Sequence, residues 1–286
     1  MPMSARLLRP RQTIHPEAAD WANRVRTNGG SVSGTTLSAV DRFVKAIHAA
    51  GIRNRFYRLN LFAGTGLAAA LVPLFRNTSL AGAALGNTTD TNAGSTLFVS
   101  GDFSESVGLH ANGTVGGTNP KYLDTGLSPD DMPTLATGHM SVWKGAGSIG
   151  VNNGGLIGSR TASQFYYLRQ NNTTDAVGAN WGVGVIVNSP SAETASSHVL
   201  FRRESATRGY ILKNGSVITT STSVTSPAAN ANDFVVFNWR ETAGTVTAAN
   251  GWPHAILAYS IGADMTDSQA LSFYNALAAF NTAMGR

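Results

Sequence analysis

WPHAILAYSIGADMTDSQALSFYNALAAFNTAMGR, residues 252–286, is a strand followed by a capped helix, and it predicts what the preceding residues must build. Residues 255–261 form an apolar run with one tyrosine, long enough for a single buried strand. Thr266 stands three residues before Gln269, the capping-box arrangement in which each side chain satisfies a free backbone N–H at the helix start. Asp264 and Asp267 put negative charge where the helix dipole favours it. Phe273, Leu277, Phe280 and Met284 recur at helical spacing, and Gly285 suits the position just past the last turn. A helix with one such face packs on something large, and the β-rich region before it is the expected partner.

Upstream, short runs of strand-forming residues recur roughly every ten positions. They fall at 96–100, 121–124, 139–143, 155–157, 165–169, 182–187, 198–202, 210–213, 217–220, 234–240 and 254–261. YILKNGSVITT (210–220) is the clearest hairpin, because Asn214-Gly215 suits a two-residue type I′ turn whose central residues both need positive φ. Many short strands at even spacing predict a mainly β fold, a two-sheet antiparallel jelly-roll sandwich. Strands do not alternate with long helices, so a parallel α/β sheet is excluded.

Before the strands lie two helical patterns. One starts at Pro16 and presents Ala18, Trp21, Ala22 and Val25; the other covers 36–50, with Leu37, Val40, Val44 and Ile47 in one stripe and Gly51 closing it. Residues 52–75 mix Arg53, Arg55 and Arg58 with Phe56, Tyr57 and Leu59, and Pro73 argues against a central strand, so they read as a surface-packed linker. The small polar stretch 77–94 reads as a boundary. The expected organisation is a basic N-terminal arm with two short helices and a linker over 1–91, and a sandwich over 92–286 carrying the last helix.

The charge is split along the chain. Residues 1–60 carry ten Lys/Arg against three acidic residues, a net of +7, while the remainder nets −2. Arg6, Arg9, Arg11, Arg24 and Arg26 are therefore candidate docking residues for nucleic acid or an acidic protein surface. There is no cysteine, which excludes disulfides, thiol catalysis and Cys-based zinc sites. The first dozen residues lack the apolar core of about 7–15 residues that a signal peptide needs. The most apolar segment, 59–75, is interrupted by Asn60, Gly64, Gly66 and Pro73 and falls short of the roughly 20 apolar residues of a membrane span, so no membrane contact is expected.

No nucleophile elbow, phosphate-binding loop or zinc-protease motif occurs. The six histidines show no pair at short ligand spacing, so no metal or cofactor is expected. Glycoside hydrolysis needs two carboxylates about 5–5.5 Å or about 6.5–9.5 Å apart. The five glutamates include no paired run, and Glu204 and Glu241 follow separate strands, so the chain is expected not to be an enzyme. Binding is supported by flat aromatic faces and by Asn-rich loops: Trp143, Tyr166, Trp181, Asn152 and Asn171 are the candidate glycan or partner contacts.

Two stretches resemble tailed-bacteriophage virion proteins: DWANRVRTNGGSVSGTTLSAVDRFVKAIHAAGIRNRFYRLNLFAG from residue 20, and the C-terminal motifs KYLDTGLSPDD, GHMSVW, GGLIGSR, GYILKNG and AYSIGADMTDSQALSFYNALAAFNTAMGR. The second set resembles the concanavalin A-like (LamG-type) jelly rolls of those proteins. The resemblance implies a structural component of the virion, assembled in the bacterial cytoplasm as a homo-oligomer and placed as head decoration or on the tail. In that setting the arm docks on other virion proteins and the sandwich faces outward. It also implies an alternative, a carbohydrate-binding module of a tail fibre or spike that meets host-surface glycans. A glycoside hydrolase using Glu204 or Glu241 is the remoter alternative. No catalytic or metal residue is carried over, because the paired-carboxylate strand and an acidic calcium cluster are absent.

Overall fold

The computed structural model describes residues 13–113, 121–148, 153–171, 174–182, 187–222, 227–241 and 244–286. The chain opens with helices α1 (Pro16–Thr27) and α2 (Gly34–Ala49), then strand β1 (Phe56–Asn60), the single turn α3 (Leu67–Ala70) and β2 (Thr91–Gly94). Next come β3 (Phe103–Ser104), β4 (Gly108–His110), β5 (Lys121–Asp124), β6 (Gly138–Lys144), β7 (Gly154–Arg160) and β8 (Phe165–Gln170). They are followed by β9 (Ala176–Gly182), β10 (Val187–Ala192), β11 (Ser197–Arg203), β12 (Gly209–Lys213), β13 (Ser216–Ser221) and β14 (Val235–Val236). The chain ends with β15 (Ala255–Gly262) and helix α4 (Asp267–Ala283).

The strands form two antiparallel sheets packed as a sandwich. The helix-side sheet runs β13-β12-β11-β6-β15-β4-β3, with β1 added to β15; the outer sheet runs β10-β9-β8-β7-β14-β5-β2. β15 is the hub: residues 255 and 256 pair with β4, whereas 259–262 pair with β1. Between the sheets lies a core that includes Met140, Val142, Leu156, Leu168, Phe201 and Ile256. A second core forms where α1, α2 and α4 bury Trp21, Val25, Phe43, Ile47, Phe273 and Leu277 against Phe56, Leu200, Leu212 and Ala258 of the helix-side sheet. The order of layers is therefore helices, helix-side sheet, outer sheet. No described helix is long and apolar enough to cross a membrane.

Elements with local signals form where the sequence places them. The Thr266 hydroxyl accepts from Gln269 N–H and the Gln269 side chain accepts from Thr266 N–H, closing the capping box of α4. Asn214 and Gly215 both take positive φ, at 49° and 80°, between β12 and β13. The strand expected at 182–187 has 183–186 outside the described residues, Gly182 ending β9 and Val187 starting β10. Three other segments differ. Residues 56–60, expected within a linker, form β1 inside the helix-side sheet, so the N-terminal helices and the sandwich share a core. The strand expected at 96–100 gives way to β2, because Asn92 pairs its side-chain amide with both backbone groups of Phe98 and curls 95–99 back. The run 234–240 shortens to β14, because Phe237 takes φ +73°, a left-handed conformation that ends a strand. Phe237 still points into the intersheet core, 5.0 Å from the Phe98 ring.

Two histidines lie under the helical layer. His198, on β11, packs on Phe273, Trp143 and Tyr274, and neither ring nitrogen has a hydrogen-bond partner among the described residues. Burial, with the neighbouring His139, holds its pKa at about 3. Burial holds His139 at about 4, with Arg55 adding to it and the Ala263 carbonyl opposing it. Both are neutral when folded and titrate near 6.5 when the chain unfolds. Their contribution is thus complete above pH 6.5 and is lost as pH falls toward the folded values, because the unfolded state binds the protons first. Urea unfolding between pH 4 and 8 is expected to show stability dropping below about pH 6.5, with a shallower drop in His198→Leu. An identical slope in the variant would exclude His198 as a source.

Candidate functional site

The outer face of the outer sheet is built from the strand alternation of β8. Tyr166 and Leu168 enter the core, so Phe165, Tyr167 and Arg169 point the other way. The β7 register places Arg160 opposite Phe165 and Gly158 opposite Tyr167. On the far side of β8, Asn180 of β9 lies opposite Tyr167. Gly158 is a requirement of this face: a Cβ there would come within 2.6 Å of Tyr167 Cβ and 2.8 Å of Trp239 Cβ. Gly155 is constrained similarly by the Trp239 ring, at 2.6 Å. Trp239 therefore lies flat on the glycines of β7, its ring 5.6 Å from that of Tyr167 and stacked on it.

Around this aromatic pair the polar groups are ordered. Glu241 accepts from Trp239 Nε1 and Asn250 Nδ2, each at 2.8 Å, and from Arg160 at 2.9 Å. Arg160 in turn lies over the half-buried Phe165 ring, 4.9 Å from its centroid. Arg240 pairs with Asp124. Arg169 differs: its guanidinium stands 5.5 Å over the Tyr167 ring, and its Nε has no partner. Among the described residues no carboxylate pairs with it. Burial raises the Tyr167 pKa, with Arg169 and Arg160 opposing, so its phenol stays neutral. The face thus offers, among the described residues, one guanidinium without a carboxylate partner over the buried Tyr167 ring, with the half-buried Phe165 ring on the same side of β8.

The residues expected from sequence are distributed differently. Tyr166 and Trp181 are 0% and 1% exposed and meet edge to face in the intersheet core. They offer no surface to a ligand; on the outward side of the same strands Tyr167 and Asn180 are buried too, at 6% and 3%, and the half-buried groups of that side are Phe165 and Arg169. Trp143 lies on the opposite side of the molecule, stacked on Tyr274 of α4 at 5.8 Å. Asn171 follows Gln170, the last residue of β8, and is half-buried. Asn152 lies outside the described residues, as do Arg6, Arg9 and Arg11. Arg24 is turned inward, donating to the carbonyls of Pro73 and Leu74 and to Asp20, whereas Arg26 is exposed beside Asn23. Glu204 accepts from the Tyr210 hydroxyl beside the helix-side sheet, so it and Glu241 belong to opposite sheets and form no pair.

One group of metal-ligating side chains comes together among the described residues, His15, Glu17 and His48, at the start of α1 and the end of α2. Sequence spacing gives no sign of it, since His15 and His48 are brought together only by the packing of two helices.

No family model matches the sequence, and no curated protein is similar to it by sequence. Solved structures are similar in fold. The Trypanosoma rangeli sialidase in complex with 2,3-difluorosialic acid aligns at 10% identity and a TM-score of 0.47, over 83% of this chain and 38% of that one. The CBM40 module of Ruminococcus gnavus IT-sialidase aligns at 16% identity and 0.39, over 52% of this chain and 91% of the module. The binding domain of botulinum neurotoxin DC, in complex with SialylT, aligns at 11% identity and 0.42, over 56% and 40%. The chain spans about two fifths of the sialidase's length. At these identities and TM-scores the likeness reaches no further than the antiparallel β sandwich itself, and it transfers no residue role. The sialidase matches overturn the expectation that the chain is not an enzyme, and that exclusion is withdrawn. None of the three structures named is a virion protein.

Proposed function

We propose that the chain is a glycan-recognising β-sandwich module, and that its ligand surface is the outer face presenting Phe165 and Arg169 beside the buried Tyr167 and Trp239 pair. The observation that carries this reading is Arg169, the guanidinium on that face with no carboxylate partner among the described residues while Arg160 and Arg240 are neutralised. A planar guanidinium recognises a carboxylate through two parallel N–H bonds. The half-buried Phe165 ring supplies a stacking surface. The favoured ligand is therefore an acidic sugar.

Titration with sialyllactose, the ligand in two of the CBM40 complexes, and with uronic-acid oligosaccharides and neutral controls tests this. Acidic sugars are expected to bind in preference to neutral ones. Arg169→Ala is expected to weaken binding by roughly tenfold to a hundredfold, the worth of a charged hydrogen-bonded pair, with Arg169→Lys between the two. Binding unchanged in Arg169→Ala, or no binding of any sugar, would reject the surface. Following the same mixtures for released sugar, with Glu241→Gln as the comparison, decides whether the face also turns over its ligand. The virion setting is a second part of the proposal and is supported by the sequence resemblance. Quantitative mass spectrometry of purified particles is expected to find the chain at fixed copy number.

A further inference from the structure

Three side chains far apart in sequence meet where α1 begins and α2 ends. His15 caps α1, its Nδ1 accepting Glu17 N–H at 3.3 Å, while its own backbone N–H donates to Asp41 Oδ1 at 2.6 Å. Glu17 is buried in the first turn. His48, in the last turn of α2, sets Nε2 2.6 Å from Glu17 Oε2. The two imidazole centroids are 4.4 Å apart, and one ligating atom from each of the three residues lies within 4.8 Å of the others.

We propose that His15, Glu17 and His48 bind a transition-metal dication of the zinc class. Two imidazole nitrogens and one carboxylate oxygen are a donor set that zinc accepts, with a coordination position left over for water. Ligand atoms around tetrahedral zinc stand about 3.3–3.5 Å apart, given metal–ligand bonds of about 2.0–2.1 Å. The His48–Glu17 contact then opens slightly, and the remaining distances are already within reach. An open pocket of about 480 Å³, bordered by the three residues with Thr78 and Leu80, supplies the entry path.

The surroundings already orient the donors. Arg53 donates to Glu17 Oε1 at 2.7 Å and to the Asn77 carbonyl at 2.6 Å, which fixes the carboxylate and leaves Oε2 for the metal. That is the outer-layer support a ligand carboxylate normally has. The same guanidinium, with Lys45 on Asp41, adds positive charge near a dication, so the site binds more weakly than a closed structural zinc centre. Ligation through either nitrogen of His15 ends its long cap bond to Glu17 N–H, because a neutral imidazole has one lone pair to give. The site lies on the helical layer, and its existence is independent of the ligand surface on the outer sheet.

The test is zinc titration of the whole chain against a fluorescent chelator, with melting followed in zinc and in EDTA. The wild type is expected to bind one zinc per chain and to melt higher in zinc. His48→Gln, and His15→Asn, which keeps a capping side chain, are each expected to lose affinity by about tenfold or more and to lose the zinc-dependent rise. Cobalt in place of zinc is expected to give the visible absorption of a four-coordinate site in the wild type, a readout that needs no variant. Absence of zinc binding at micromolar concentrations overturns the proposal. So does undiminished binding in His48→Gln, which would move the metal elsewhere, for example to the His110 and His254 pair.

Discussion

Replacing Arg58 with leucine is expected to lower the stability of the fold by roughly 3–5 kcal/mol, the cost of leaving one member of a buried ion pair alone. Arg58 and Asp90 are both fully buried, with the guanidinium 2.7 Å from Asp90 Oδ1. Arg58 also donates to the Tyr259 hydroxyl at 3.0 Å and to the carbonyls of Leu85 and Asn87. Tyr259 and Asn60 donate to Asp90 at 2.6 and 2.8 Å. Burial by itself would weaken the arginine's charge, yet Tyr259 and Asp90 more than offset it and raise its pKa. Burial beside Asp90 keeps the Tyr259 phenol protonated. The cluster ties β1 and β15 to the 85–90 loop, so its loss is felt across the junction of helices and sandwich. Leucine would strand the Asp90 carboxylate without a cation and leave two loop carbonyls unbonded. Lysine keeps the charge but not the fork, and its expected loss is smaller. Urea unfolding with an unchanged slope and a lower midpoint measures both variants.

That cluster also marks where the sequence stops being legible. Arg58 reads as one more basic residue in a mixed stretch, because its partner stands 32 residues away and only the folded sheet joins them. Helix α4 and the Asn214-Gly215 turn are legible because a capping box, a helical repeat and a positive-φ turn are local signals. The 234–240 run misleads because its β-formers promise a long strand, while the left-handed Phe237 is imposed by core packing. His15 and His48 carry no spacing signal, since helix–helix contact alone brings them together. The proposed ligand surface is half legible. Alternation separates Tyr166 from Tyr167, but nothing local says which of the two faces outward.

Trp181→Ala decides that last point, and its expected cost is about 3–5 kcal/mol, the range for emptying an aromatic site in a core. The indole is 1% exposed, stands edge to face with Tyr166 at 5.6 Å, and donates from Nε1 to the Leu135 carbonyl at 2.9 Å. It lies against Gly138 of the facing sheet so closely that a Cβ there would come within 2.5 Å of the ring. Alanine would therefore open a cavity between the sheets and leave a carbonyl unbonded. Phe165→Ala, on the outward face of β8, removes a half-buried ring and is expected to cost about 1 kcal/mol while weakening sugar binding. The two variants pull in opposite directions: one loses fold and keeps its surface, the other keeps fold and loses surface. Thermal melting and sugar titration on both, side by side, separate the faces. If Trp181→Ala melted like the wild type while losing sugar, the two faces of the outer sheet would be exchanged. The ligand surface would then move with them.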